Sequence, residues 1–272
     1  MTMKHFFVII LTLSTKLLFG QMFGSPFDQN RATTDFFAQI KDYDLSVVWT
    51  ADSVLANEDE MRRRAEILGF IGDNYQRLHV RFISIIQNPF NPYEYFAYGK
   101  TKVEENIRSF QGTIKITKAR LYDETDTPVD VFELPDYKQG YVESEVILFE
   151  DSKEESTGFF SGKLTTGFLI DDRGEFRYAA IMFYSDWFNN NQFVGIWTSY
   201  HTNLTKRAHW GDWRIPESGD LDIGAGEFSV NPKYYAKNGW ENWVSAWGYP
   251  EPPSSEKERQ KAREKEKEQW WK

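Results

Sequence analysis

The residues best equipped for chemistry lie in Phe193–Phe228, which reads F-V-G-I-W-T-S-Y-H-T-N-L-T-K-R-A-H-W-G-D-W-R-I-P-E-S-G-D-L-D-I-G-A-G-E-F. Trp197, Trp210 and Trp213 share this stretch with Asp212, Asp220 and Asp222. Aromatic faces stack on sugar rings and carboxylates accept hydroxyl hydrogen bonds, so these six residues are the expected contacts for a glycan or protein ligand. Asp220, Asp222 and Glu227 also form a carboxylate set. On a strand, Asp220 and Asp222 would share a face about 7 Å apart. With Glu227 they are candidates for an acid and base in polysaccharide hydrolysis, or for a Ca²⁺ site. A calcium loop of the EF-hand type wants an oxygen ligand two residues after Asp222 and a glycine next, where this chain has Gly224 and Ala225. The plainer expectation is that the carboxylates end a strand and satisfy turn amides.

Other constellations are weaker. His201, His209 and Asp212 would make a chemically reasonable metal set, although histidines near β turns are more often solvated or hydrogen-bonded. Gly99-Lys100-Thr101 imitates the end of a phosphate-binding loop, but Glu94 stands where the first glycine is needed and the segment reads as strand. No G-x-S-x-G elbow and no H-E-x-x-H pair occurs. No catalytic residue, metal or cofactor is therefore expected, with Ca²⁺ as the alternative.

Composition narrows the class. A mature chain of about 250 residues buries a full core, and 22 Phe, 14 Tyr and 10 Trp supply the apolar material. Those rings either fill that core or form an exposed platform. The net charge is −9, and the tail from Glu251 has seven basic against six acidic residues, so the negative excess sits on the body. Such a body repels a phosphate backbone, which argues against nucleic acid. Without cysteine there is no disulfide, thiolate metal site or thiol nucleophile.

The elements that must position these residues read as β. Met1–Lys4 is basic, Phe6–Phe19 is apolar and Gly20 precedes Gln21, the layout of a secretory signal peptide over residues 1–20. Export to the periplasm, cell surface or medium follows, with no membrane span after cleavage. Residues 21–250 are expected to form an antiparallel barrel or sandwich. Gln21–Lys41 would wrap it, Leu45–Thr50 would be a first strand, and Asn57–Leu68 a short helix or charged loop. Leu78, Val80 and Phe82, then Ile114 and Ile116, then Leu164, Thr166, Phe168 and Ile170 alternate with other residues at period two. Turns are expected at Asn88-Pro89, Asp123–Pro128, Asp171–Gly174 and Asn189–Asn191.

The tripeptide Phe-x-Gly recurs at Phe70, Phe110, Phe160 and Phe193, suggesting two related halves at 65–125 and 155–205. Trp240, Trp243 and Trp247 have helical spacing and should dock as a lid. Residues 251–272 are a Pro-rich break followed by a mixed-charge helix, ending in Trp270-Trp271, which would anchor on a partner or on the chain itself.

The Phe-x-Gly starts resemble those of lipocalin barrels. The chain also resembles a group of exported β-rich proteins of Bacteroidetes through G-F-I-G-D-N-Y-Q-R near Gly69, Y-G-K-T-K-V near Tyr98 and the W-G-D-W-R-I-P-E-S-G-D-L-D-I-G-A-G-E-F run from Trp210. That resemblance implies export and a bacterial envelope setting and carries no activity. The leading functional expectation is an exported non-catalytic envelope protein that binds a glycan or another envelope protein. The alternatives are a polysaccharide hydrolase and a structural adaptor.

Overall fold

The computed structural model describes residues 31–55, 61–123, 137–180, 185–235, 237–248 and 255–272. The expected signal peptide, the turn at 124–128 and the Pro-rich stretch at 251–254 lie outside these residues.

Leu45–Thr50, expected as a strand, is instead the end of a helical plug. After β1 (Thr33–Asp35) come α1 (Phe37–Ile40) and α2 (Ser46–Thr50). The Asp44 carboxylate accepts the Ser46 amide at 2.9 Å and starts the turn, and the Thr50 hydroxyl donates back to the Ser46 carbonyl at 2.8 Å. These local bonds, together with burial of Val48 and Trp49, override the β-branched run. The hairpin β2 (Ser53–Leu55) and β3 (Met61–Arg63) follows, so Met61–Arg63 lies in neither a helix nor a loop.

Among the described residues, the body is one eleven-stranded antiparallel sheet. Its strands are β4 (Leu68–Ile71), β5 (Gln76–Arg77), β6 (His79–Asn88), β7 (Asn91–Val103), β8 (Asn106–Tyr122), β9 (Lys138–Glu150), β10 (Gly158–Ile170), β11 (Phe176–Tyr178), β12 (Asn190–Ser199) and β13 (Thr205–Asp212), joined at β8 by β1. The order β5-β4-β13-β12-β10-β9-β8-β7-β6 keeps most sequence neighbours side by side, the exceptions being β4 beside β13 and β12 beside β10. β5 pairs with β4 and runs through Leu78 into β6, which pairs with β7. The Leu78 amide donates to the Gly69 carbonyl at 2.9 Å. The run Gln76–Asn88 thus joins both ends of the strand path, and the sheet rolls round an apolar interior.

The period-two spacing sets which side chains enter that interior. Val80, Phe82, Ile114, Leu164 and Phe168 are all buried there. Phe193 and Trp210 stack with centroids 3.7 Å apart, and Phe160 meets Trp210 edge-on. Gly162 and Gly195 face each other across β10 and β12 beneath the Phe193 ring. A Cβ on Gly162 would stand 2.6 Å from the Gly195 Cα, so close backbone approach explains glycine in these two Phe-x-Gly tripeptides. Gly72 differs: with φ +78° it closes the turn after β4. The Asp171–Gly174 turn forms as expected, the Asp171 carboxylate accepting the Arg173 and Glu175 amides. Asn190 and Asn191 do not form a free turn; they open β12 with a register shift before Phe193.

The plug covers the end of the barrel where β12 begins and β13 ends. Ile40, Leu45, Val48 and Trp49 join the interior cluster, and Trp49 meets Tyr95 edge-on at 5.1 Å. A second apolar cluster lies outside β4, where Phe70 packs with Leu221, Phe228, Tyr234, Trp240 and Trp243. It is built by the segment after β13, with α3 (Pro232–Tyr235) and α4 (Glu241–Trp247). Trp240 and Trp243 dock there, as the helical spacing predicts, while Trp247 stays 49% exposed. The final helix, α5 (Glu256–Glu266), has a reciprocal capping box between Ser255 and Glu258.

Candidate functional site

The Trp–carboxylate segment does not form a single binding surface. Trp197 and Trp210 point into the core, so neither offers a face to a sugar. Trp213 is partly buried against the same core and meets Phe188 edge-on at 5.7 Å. Of the two readings of the Trp cluster, core filling holds for Trp197, Trp210, Trp240 and Trp243.

Asp212 is the centre of a buried polar network rather than a ligand contact. It is fully buried at the end of β13, and Arg64 presents Nε and Nη2 to its two oxygens at 3.1 and 3.0 Å. The Tyr178 hydroxyl and the Asn191 side-chain amide each donate to it at 2.8 Å. Asn191 accepts from Thr166, which accepts from the Trp49 indole N–H at 2.9 Å. Arg64 and Asn191 also donate to the carbonyls of Trp49 and Val48. The network therefore ties the plug to β10, β12 and β13. Burial by itself would lower the Arg64 guanidinium, but the charges of Asp212 and Tyr178 and the hydrogen bonds to Asp212 together outweigh it and raise Arg64 above its ordinary value. Burial, then the Asp212 charge, pushes the Tyr178 phenol well up, so it stays a donor.

Asp220, Asp222 and Glu227 do not converge. No strand runs through them; Asp222 makes only an isolated bridge to Val230. Asp220 is exposed and binds the Tyr234 hydroxyl and Lys233, which hold its carboxyl below the usual range. Asp222 turns the other way, accepting from Arg214 at 2.5 Å and from the Gly224 and Ser229 amides at 3.0 Å. Burial pushes its carboxyl up despite the Arg214 charge. Glu227 is exposed. The expected shared face of Asp220 and Asp222 is thus corrected, because the chain closes a turn there around Arg214. The amide-satisfying role expected of such carboxylates is the one Asp222 performs.

The histidines do not gather with Asp212 either. His209 is buried with Nδ1 3.1 Å from the Pro216 carbonyl, and His201 sits exposed beyond β12. Among the described residues, no three His, Cys, Asp or Glu side chains group at metal distance. At the opposite barrel end, Glu150 is buried and accepts from Thr101, the Gly158 amide and the Trp197 indole N–H at 2.9–3.0 Å. Burial raises its carboxyl, and these donors offset part of the rise.

An open concavity lies on the outer face of β6–β9. It is a groove of about 480 Å³ lined by Ile86, Phe96, Tyr98 and Phe149, with Ser84, Gln111 and Thr113 between them. Two cross-strand rows build it. One runs Ile86, Phe96, Thr113, Ile147, Ser161, Ile196; the other runs Ser84, Tyr98, Gln111, Phe149, Phe159, Thr198. Ile86 is 63%, Phe96 48% and Phe149 47% exposed. Beside the first row runs a ladder of alternating charge, Glu94, Lys115, Glu145, Lys163. Alternation alone puts one residue of each pair outward; here Phe96 and Phe149 occupy outward positions that a solvated sheet would fill with polar side chains. The signal was present in the unbroken runs Tyr95–Tyr98 and Val146–Phe149, which are apolar on both faces.

No protein-family model, curated protein or solved structure matches this chain. Among the described residues, no helix is long and apolar enough to cross a membrane.

Proposed function

We propose that the protein is an exported, non-catalytic binding protein whose outer groove receives apolar side chains of a protein partner. The observation that carries this is the aromatic groove over β6–β9, where Phe96, Tyr98 and Phe149 stand out from the sheet in contiguous rows. Exposed apolar patches rimmed by polar residues mark interaction surfaces, and aromatic anchors in a concavity supply most of the energy of such contacts. Beside the Tyr98 phenol, its polar lining is Ser84, Gln111 and Thr113, with no carboxylate, imidazole or amine, which favours binding over acid–base chemistry. The groove has no carboxylate with which to grip hydroxyl groups, so apolar protein side chains fit it better than a glycan does. The apolar stretch Phe6–Phe19 after a basic start supports export, and the resemblance to exported Bacteroidetes proteins supports an envelope setting.

The test is a display selection of random peptides on the mature protein, with depletion on the Phe96→Asp variant, alongside an oligosaccharide panel. The reading expects peptides carrying aromatic or branched residues at alternating positions, bound by wild type and lost by Phe96→Asp. It fails if selected peptides bind both proteins equally, or if oligosaccharides bind in a Phe96-dependent way and peptides do not.

A further inference from the structure

The second surface with a defined recognition geometry lies under the C-terminal tail. Of the eleven residues of α5 only Ala262 is buried, so an apolar face does not hold this helix down. Three outward residues of the β5–β6 run hold the tail in register instead. Arg77 donates from Nη1 and Nη2 to the two oxygens of Glu266 at 2.8 and 2.5 Å, with both side chains below 10% exposed. His79 meets the Trp270 ring edge-on at 5.7 Å. Arg81 places its guanidinium 4.6 Å from the Trp271 ring centroid. Residues 77, 79 and 81 therefore read residues 266, 270 and 271 in order. The pairing is bidentate at the first position and aromatic at the other two, both geometrically demanding. Within α5 itself, Arg263 adds two contacts to α4, a hydrogen bond to the Ala246 carbonyl at 3.2 Å and a position 5.3 Å over the Trp247 ring.

We propose that this Arg77–His79–Arg81 face is a recognition site for the Glu266–Trp270–Trp271 tail, and that it accepts the tail of a second copy of this chain as well as its own. The occupant follows from the contacts, since every copy carries the tail that fits. The helix carries its own capping box, which favours its first turn independently of the body. The site grips the tail through side chains, and nothing in those contacts distinguishes a chain's own tail from another's. A tethered tail meets its site at an effective concentration in the millimolar range. Docking within one chain therefore dominates in dilute protein, and exchange between copies takes over when the internal pair is broken. Exchange of an identical element is a low-cost route to a dimer.

The test uses four full-length proteins: wild type, Arg77→Glu, Glu266→Arg and the double variant. Each single variant sets like charges together and cannot dock its own tail. Mixed one to one, the two singles restore opposite charges across copies. The Glu266→Arg protein offers its intact Arg77 to the intact Glu266 of the Arg77→Glu protein, and the two substituted positions form the reversed pair. Sedimentation velocity at micromolar protein should show a one-to-one complex in the mixture and monomers for each single and for the double variant. A mixture of two folded singles that stays monomeric overturns the proposal. If a single variant fails to fold, wild type is titrated with a synthetic peptide of residues 255–272 while amide exchange in α5 is followed. Saturable binding with faster exchange, absent for the Glu266→Arg peptide, supports the site, and no binding by the native peptide overturns it.

Discussion

Replacing Asp212 with alanine tests whether the plug is bolted to the barrel by a buried ion pair. The Asp212 side chain is fully buried and Arg64 is 7% exposed, so neither charge is repaid by water. Asp212→Ala leaves the guanidinium with only the Val48 and Trp49 carbonyls and removes the acceptor used by Tyr178 and Asn191. Breaking one side of a buried pair costs about 3–5 kcal/mol, and the two orphaned neutral donors place the loss toward the upper end. For a domain of this size that lowers the melting temperature by roughly 6–20 °C. Urea unfolding followed by circular dichroism reads the change directly. The exposed pair Lys118–Glu143, 45% and 35% exposed, is the control: Glu143→Gln should change stability by under about 1 kcal/mol. The double variant Arg64→Met/Asp212→Leu should cost clearly less than the two single losses added, because it removes the charge that each single variant strands. An Asp212→Ala loss of about 1 kcal/mol or less, no larger than the control, would refute the account of the network.

Three further outcomes follow from the same packing. Trp210→Ala should destabilise the protein by about 3–5 kcal/mol in chemical denaturation, because its ring stacks on Phe193 inside the barrel; an unchanged midpoint would restore it as a surface residue. Gly162→Ala should cost about 1–3 kcal/mol by overpacking, since the added methyl meets Gly195 and the Phe193 ring; a neutral result would contradict the close approach. His79 is held well below its ordinary value of 6.5, by burial first and then by Arg77 and Lys102. A depressed folded value means the native state resists protonation, so this share of stability is present above about 6.5 and is lost as pH falls toward the lower folded value. Melts between pH 7 and 5 should show a steeper acid loss for wild type than for His79→Gln; parallel curves would remove His79 from the tail's footing.

Much of the fold was legible because period-two spacing is a local property. Leu78, Val80 and Phe82 announced an inward face, and Asp171–Gly174 a turn, without reference to the rest of the chain. Leu45–Thr50 was misleading because its β-branched residues serve a plug whose conformation is chosen by Asp44 and by the space inside the barrel. The site was harder to read for a related reason. Tryptophan and carboxylate in one stretch resemble a binding face, but the inward parity of β12 and β13 buries Trp197 and Trp210, and Arg64, well over a hundred residues away in sequence, claims Asp212. The groove draws on Ile86, Phe96 and Phe149 from three strands. Only the rolled sheet, with its cross-strand register, places them side by side.

The most direct test of the central claim, that the outer groove and not the Trp–carboxylate segment is the working face, is a side-by-side titration of a groove-selected peptide by calorimetry. Wild type, Phe96→Ala and Asp220→Asn are compared, since Phe96 and Asp220 are both exposed and neither holds the core together. The account predicts an affinity loss of about tenfold or more, or 1.4 kcal/mol, for Phe96→Ala and no change for Asp220→Asn. Unchanged binding by Phe96→Ala together with loss in Asp220→Asn would move the binding face back to the carboxylates and contradict the reading given to the groove.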